Sequence, residues 1–438
     1  MAMKPRSAFQ VLRLVALLTV VMSTLSAAPT ARAQWTQWGG PNRDFIADSK
    51  GLADKWPDEG PKELWRRELG DGYSTIISDG KTLYTMYRKD QDEFTVALDA
   101  RTGQTVWEHK YPSPTTSLME QFGAGPHSTP LLVENRLFTI GTNAVLHCFD
   151  KSTGKVLWKI DLHNDMGAGI PGRGYGCSPI AYKSTIIVPA GRPRGGDGDA
   201  DAKKEAADQP PDDQSLVAFD QLSGSVIWKS GDYPVAYASP SLIDFQGERQ
   251  LVQLGSLDLV GVNPDNGDLL WRLGITPEAA NISTPVYDGK EMLFCSSAYD
   301  SGSRVIKLTK KNGKTEAEQL WYGRKMRMHH CDAVRIGDYI YGSSGDFGPA
   351  FYMGVNFKTG DVAWRERGFK KANSLYADGR MIILDEDGQL ALAKVTPEGL
   401  EVISKCTVAE RYAWAAPTLV GKTLYVRDRK HILALDLG

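Results

Sequence analysis

Cysteine is scarce in this chain, five in 438 residues, and no two cysteines are adjacent or set in a Cys-x-x-Cys-His phrase. That excludes a covalently attached c-type haem. A long apolar run is missing too: the stretch Leu14 to Val21 falls short of the roughly 20 residues needed to cross a bilayer. Neither sign of charge dominates, with 51 Lys and Arg against 53 Asp and Glu, so no nucleic-acid footprint is indicated.

Residues 1–33 carry Lys4, Arg6 and Arg13, then the apolar stretch, then Ala31-Arg32-Ala33. This is the pattern of a secretory signal cleaved before Gln34, and it predicts a periplasmic or secreted protein. No cysteine follows the cleavage point, so a lipid anchor is not expected. Cleavage removes four basic groups and no acid, leaving 405 residues with 47 Lys and Arg against 53 Asp and Glu, a net of −6. Cys148, Cys295 and Cys406 fall in apolar runs, where cysteine behaves as a small buried hydrophobe. Cys177 and Cys331 begin equivalent segments three repeat units apart, beyond the roughly 7 Å within which Cα atoms can be bridged. Free thiols are expected.

What the chain does contain is a repeat. An acid or amide, three residues, a glycine, three residues and a tryptophan recur at Asp99/Gly103/Trp107, Asp150/Gly154/Trp158, Asp220/Gly224/Trp228, Asn263/Gly267/Trp271 and Asn356/Gly360/Trp364. The acid follows apolar runs such as Val145-Leu146-His147-Cys148-Phe149, which suit buried strands. Asp or Asn can accept from the backbone just ahead of it, and glycine supplies the positive φ of a tight turn. Upstream stands a small-polar-Pro phrase: Ser128-Thr129-Pro130, Ser178-Pro179, Ser239-Pro240, Ser283-Thr284-Pro285 and Ala416-Pro417. One unit therefore holds four strands. Tryptophans at 107, 158, 228, 271, 321 and 364 lie 51, 70, 43, 50 and 43 apart, near the roughly 40 to 50 residues of a propeller blade.

Two units are degenerate. The fifth has a stretched turn from Thr309 to Gly313 before Trp321, and in the seventh Ile403 is read in the tryptophan slot. The last unit supplies three strands and ends at Gly438, while an orphan strand, Lys62-Glu63-Leu64-Trp65-Arg66, precedes the first unit. Pairing the two closes an all-β, eight-bladed propeller over 62–438 after an arm at 34–61, and leaves only protected edges. The tryptophans expected to pack between blades are Trp65, Trp107, Trp158, Trp228, Trp271, Trp321 and Trp364.

The Ala/Phe-x-Asp-x-x-Thr/Ser-Gly-x-x-x-Trp phrase resembles the tryptophan-docking repeat of pyrroloquinoline-quinone (PQQ) propellers. Trp35-Thr36-Gln37-Trp38-Gly39-Gly40-Pro41 is similar to the start of secreted bacterial PQQ-like repeat proteins, so the resemblance runs from Trp35 to Gly438. That superfamily includes quinoprotein dehydrogenases and also non-enzymatic BamB-like scaffolds of outer-membrane protein assembly. The dehydrogenases hold the quinone between a Trp floor and a disulfide of adjacent cysteines, with calcium and an Asp base. Here Trp414 offers a floor and Glu120, Asp332 and Asp346 offer carboxylates, but their spacing does not define a set, and adjacent cysteines are lacking.

Any small-molecule site belongs where the innermost strands begin. Three residues before each Pro-phrase position stand Tyr73, His127, Gly176, Tyr237, Ile282, His330, Ala372 and Trp414, five of them aromatic or His. With Tyr175 and Asp332 these are the candidate ligand-binding residues. Plugging of the channel by the same bulky side chains is the other reading. His329-His330-Cys331-Asp332 with His127 suggests a metal site, but neighbours on a strand point to opposite faces, so none is assigned.

Other motifs are weaker. Gly167 to Gly172 satisfies GxGxxG without the helix that would hold a pyrophosphate. Asp197, Asp199 and Asp201 are spaced as in a calcium loop, but Ala202 stands where the turn needs glycine. They fall in 192–214, read as a disordered insertion in the third blade. Loops 109–126 and 159–176 are long and hold Met119, Phe122, Met166 and Ile170, which suggest an exposed partner surface, while a rim packed over the channel explains them equally. The sequence therefore points to an exported scaffold, monomeric, with another envelope or extracellular protein as partner and no assigned catalytic residue. The alternative is a PQQ- and calcium-dependent alcohol or sugar dehydrogenase.

Overall fold

The structure, a computed structural model, describes residues 34–193, 213–275, 280–299, 301–346 and 348–438. The signal segment read at 1–33 lies outside them, as does all but the ends of the insertion read at 192–214. The strands form eight sheets, each with four antiparallel members. Blade 1 comprises Ile77–Ser78, Thr82–Lys89, Asp92–Asp99 and Thr105–Pro112; blades 2 to 7 follow in chain order. Blade 8 takes Thr418–Val420, Thr423–Arg427 and His431–Asp436 from the C-terminus and Lys62–Glu68 as its outer strand. The register runs from Lys62 opposite Asp436 to Glu68 opposite His431, so the ring closes as expected.

The turns show why the repeat has its residues. Asp99 Oδ1 accepts from the amides of Arg101 and Thr102, at 3.1 and 2.8 Å, and from the Thr102 hydroxyl at 2.8 Å. Asp150 and Asp220 repeat the arrangement with Thr153 and Ser223. Gly103 has φ +70°, and a Cβ there would lie 2.6 Å from the Trp65 ring. The glycine is needed both for its backbone angle and because the tryptophan of the preceding blade lies on it. Trp65, Trp107, Trp158, Trp228, Trp321 and Trp364 donate their indole N–H to carbonyls of the next blade, those of Ala100, Lys151, Gln221, Pro264, Phe357 and Thr396. A bulge just before Trp107 turns it inward and leaves Val106 exposed.

Two positions depart from the sequence reading. Trp271 donates to the Gln250 side chain of its own blade, at 2.7 Å, because blade 5 has a long hairpin in place of the acid-glycine turn. In blade 7 the bulge falls at Ile403, so Ser404, not Ile403, pairs where a tryptophan stands elsewhere. The arm supplies the missing bulk. Trp56, buried, donates its backbone N–H to Ser404 Oγ at 2.9 Å.

That arm crosses the end of the ring where the innermost strands finish. Trp35 pairs with Ser78 of blade 1, and Leu132 of blade 2 donates to Thr36 O. Trp38 donates to Thr284 Oγ1 of blade 5, and Arg43 to Pro179 O at the start of blade 3. Ile46–Ala47 adds a fifth, parallel strand to the inner edge of blade 7. The core lies between blades: one buried cluster joins blades 2 and 3, another blades 4 and 5, another blades 5 and 6.

Candidate functional site

At the opposite end the innermost strands begin, and five of the residues chosen from the sequence gather there. The Tyr73 ring stacks on His127, centroids 5.4 Å apart and planes 5° apart, and lies 5.1 Å from Trp414. His330 stacks on Trp414 at 4.3 Å. The Tyr237 hydroxyl accepts from the Arg173 amide at 3.3 Å. Gly176 leaves room for its neighbours: a Cβ there would sit 3.2 Å from the Tyr237 ring and 3.7 Å from His127 Cβ. Asn373 ties the loops together by donating to the carbonyls of His330 and Trp414, at 3.1 and 2.8 Å.

Two candidates lie elsewhere. Tyr175 is buried between blades 2 and 3 and donates to Pro189 O at 2.7 Å. Asp332 faces the arm, where its carboxylate accepts from the amide and hydroxyl of Thr284. Burial raises its pKa to about 7 against the opposing effects of Thr284 and Arg43. Burial likewise brings Arg43 down to about 9, still protonated at neutral pH.

This buried carboxyl has a measurable consequence. Its folded pKa lies above its unfolded one, so the folded state keeps a proton that the unfolded chain loses near pH 4. Stability from this group is therefore present at low pH and lost as pH rises from about 4 to about 7. Asp332→Asn should flatten that slope. Urea midpoints at about pH 5 and about pH 8 check it, and equal slopes in both proteins would count against it.

The adjacent histidines behave differently from the sequence expectation. Residues 329 and 330 form a bend, not a strand, and their rings lie 3.9 Å apart. Burial pulls His127 down to about 4, His329 to about 3 and His330 well below its ordinary value, with Lys371 and Arg173 adding to the last two. All three are neutral at physiological pH. Among the described residues no three His, Cys, Asp or Glu side chains form a metal-holding group. The described cysteines are free.

Several residues at this end were missed by counting three back from each Pro phrase. His329, Lys371 and Tyr412 stand one or two positions earlier, and the same count extended by two would have found them. Lys371 Nζ lies 5.4 Å above the Trp414 ring, and Tyr412 is 4.7 Å from it. Phe122 reaches over from the first long loop, 6.0 Å from Trp414, and Tyr73 donates its hydroxyl to Phe122 O. The long loops are thus not exposed apolar surface. Met119 is buried and Phe122, Met166 and Ile170 are half-buried, because the loops fold inward and each carries a short helix, Ser117–Glu120 and Leu162–Met166.

The carboxylate nearest Trp414 is Glu386, which accepts from its indole at 3.0 Å. Burial pushes the Glu386 pKa up, but Lys370 at 2.7 Å, the indole and Lys371 outweigh it and hold it low. Neither the three imidazoles nor Glu386 is tuned as a proton acceptor for neutral pH. The end of the axis is an aromatic and imidazole assembly bordered by cations.

Fold and axis together define a propeller of PQQ-like repeats whose mouth is packed by its own rings. Residues 91–366 match the family model of the outer membrane protein assembly factor BamB, a PQQ-type repeat, and the chain belongs to that family. Two curated relatives match in part. A polyvinylalcohol dehydrogenase of Pseudomonas sp is 26% identical over 208 residues, 45% of this chain and 29% of that protein. A BamB of Alteromonas naphthalenivorans is 24% identical over 139 residues, 29% of this chain and 31% of that protein. The chain thus spans under a third of the length of either. Among solved structures, BamB of Moraxella catarrhalis superposes with TM-score 0.59 at 13% identity, over 86% of this chain and 99% of that one. A quinohemoprotein alcohol dehydrogenase of Comamonas testosteroni gives 0.63 at 12%, over 94% and 82%. These likenesses show the fold. Among the described residues no helix is long and apolar enough to cross a membrane.

Proposed function

We propose that this protein is an exported binding scaffold of the cell envelope, BamB-like in working through a protein partner, and not a quinone-dependent oxidase. The observation that carries the reading is the state of Trp414. A quinone needs a free aromatic face, and here His330 stacks on that ring at 4.3 Å while Tyr73, Tyr412 and Lys371 crowd it. The second requirement also fits poorly, since Glu386 is already engaged by Lys370 and the indole and Asp332 faces the other end. The residues present do not suit PQQ with calcium, and no step is derived through it.

Purified mature protein mixed with PQQ and calcium chloride should show no quinone absorbance after desalting, no rise in melting temperature and no dye-linked oxidation of alcohols or sugars. A bound ligand would raise the melting temperature by mass action. Saturable binding with turnover would overturn the scaffold reading and favour the dehydrogenase one. The signal pattern at 1–33 supports export, and amino-terminal sequencing of the secreted protein should begin at Gln34.

A further inference from the structure

The end of the ring that carries the axial assembly is electrically lopsided. Over blades 8 and 1 a cavity of about 210 Å³ is lined by Asp71, Asp90 and Glu120 together with Arg88 and Arg429. Over blades 6 and 7 the exposed charges are mainly cationic. Arg365, Arg367, Lys405 and Arg411 are exposed and Lys370 is half-buried, against exposed Glu366, Asp387 and Glu410. Three further acids at this end of the two blades, Asp346, Asp385 and Glu386, are buried at 7%, 4% and 1% exposure. Lys370 and Arg411 are paired with Glu386, and Arg411 also with Asp387, which leaves Arg365, Arg367 and Lys405 as the cations that the exposed face presents beside Glu366 and Glu410.

These cations are also held in place. Arg365 and Arg367 both lie over Phe351, at 4.9 and 5.6 Å from its centroid, Lys405 over Phe369 at 4.7 Å, and Arg411 over Tyr412 at 4.8 Å. A cation resting on a ring gains attraction from the ring quadrupole and gives up part of its rotamer freedom before any partner arrives. Prepaid ordering lowers the cost of association. Arginine beside large aromatic rings is the composition in which interface energy concentrates.

We propose that the rim formed by blades 6 and 7 is a docking surface for an acidic segment of a partner protein. The charge layout favours a protein over a lipid surface. A uniformly anionic bilayer meeting this end would be repelled by Asp90 and Glu120 on the far side, whereas a protein can present acids to one sector and bases to the other. The inference deepens the scaffold reading and rests on it, but its measurement is independent of quinone binding.

The test uses the mature chain and fluorescein-labelled poly-glutamate, with phosphatidylglycerol vesicles and heparin as competing probes. Poly-glutamate should bind at low salt and weaken as salt rises. The triple variant Arg365→Gln, Arg367→Gln, Lys405→Gln should bind it about tenfold more weakly while melting as the wild type does. A control triple, Lys155→Gln, Lys314→Gln, Lys358→Gln, removes exposed cations from other turns and should bind normally. Equal losses in both triples, tighter capture of vesicles or heparin through the same three residues, or no poly-glutamate binding by wild type would each overturn the proposal. Failure here with no quinone binding leaves the scaffold reading standing without this rim; quinone turnover sinks that reading whatever poly-glutamate does.

Discussion

A chain beginning at Leu69 is expected to fail to fold, while one beginning at Lys62 folds with reduced stability. The two differ by one strand, Lys62–Glu68. Without it His431–Asp436, buried along most of its length, becomes an open edge. Trp65 is lost with the strand, and with it the ring lying on Gly103 and the bond to Ala100 O. Trp65 is half-buried, so losing its ring costs less than the about 3 to 5 kcal/mol of a fully buried one, but that loss adds to the open edge against the roughly 5 to 15 kcal/mol that holds a domain together. The shorter truncation forfeits the arm, with Trp35, Trp38, Trp56 and the added strand Ile46–Ala47, but leaves the four antiparallel strands of every blade in place. Yield of monomer by size exclusion and far-UV circular dichroism compare the two. Equal folding of both would mean that the ring does not depend on its closing strand.

Replacing Arg88 with Met is expected to lower stability by about 3 to 5 kcal/mol, because it strips a buried carboxylate of its counter-charge. Arg88 is 4% exposed and Glu93 0%. The guanidinium donates to Glu93 Oε1 at 2.9 Å, to Ser113 Oγ at 3.1 Å and to Ala124 O at 2.7 Å. Glu93 in turn accepts from the Tyr111 hydroxyl at 2.7 Å and from the Thr142 amide at 3.0 Å, which links blade 1 to blade 2. In Arg88→Met that carboxylate remains buried and uncompensated. Adding Glu93→Gln removes the bare charge while an amide oxygen can still accept from Tyr111 or Thr142, so the double variant should recover part of the loss. Urea unfolding of wild type, single and double variants gives the comparison. A single-variant loss below about 1 kcal/mol would show that the pair matters no more than a surface one.

The repeat was legible because its physics is local. Asp99, Gly103 and Trp107 report on one turn and the strand after it, and the same three demands recur wherever a blade needs that turn. Positions set by distant chain were not legible. The small Ser404 in a tryptophan slot makes sense only once Trp56, 348 residues away, is seen bonded to it. Trp271 looked like its siblings until its neighbour proved to lack the turn that receives an indole. At the axis, counting along strands placed Tyr73, His127, Tyr237, His330 and Trp414 together, since the strand starts obey the repeat. It misplaced Asp332, whose direction depends on Thr284 in the preceding blade, and it separated His329 from His330 by assuming a strand where the chain bends.

Because the first strand of the ring bonds to the last, the final sheet has no complete partner until Asp436 has been synthesised. Domains ordinarily begin to fold while the ribosome is still extending them, and here the contact that locks the circle joins residues 62 and 436, among the widest separations the polypeptide allows. The growing polypeptide therefore stays unsealed throughout its manufacture.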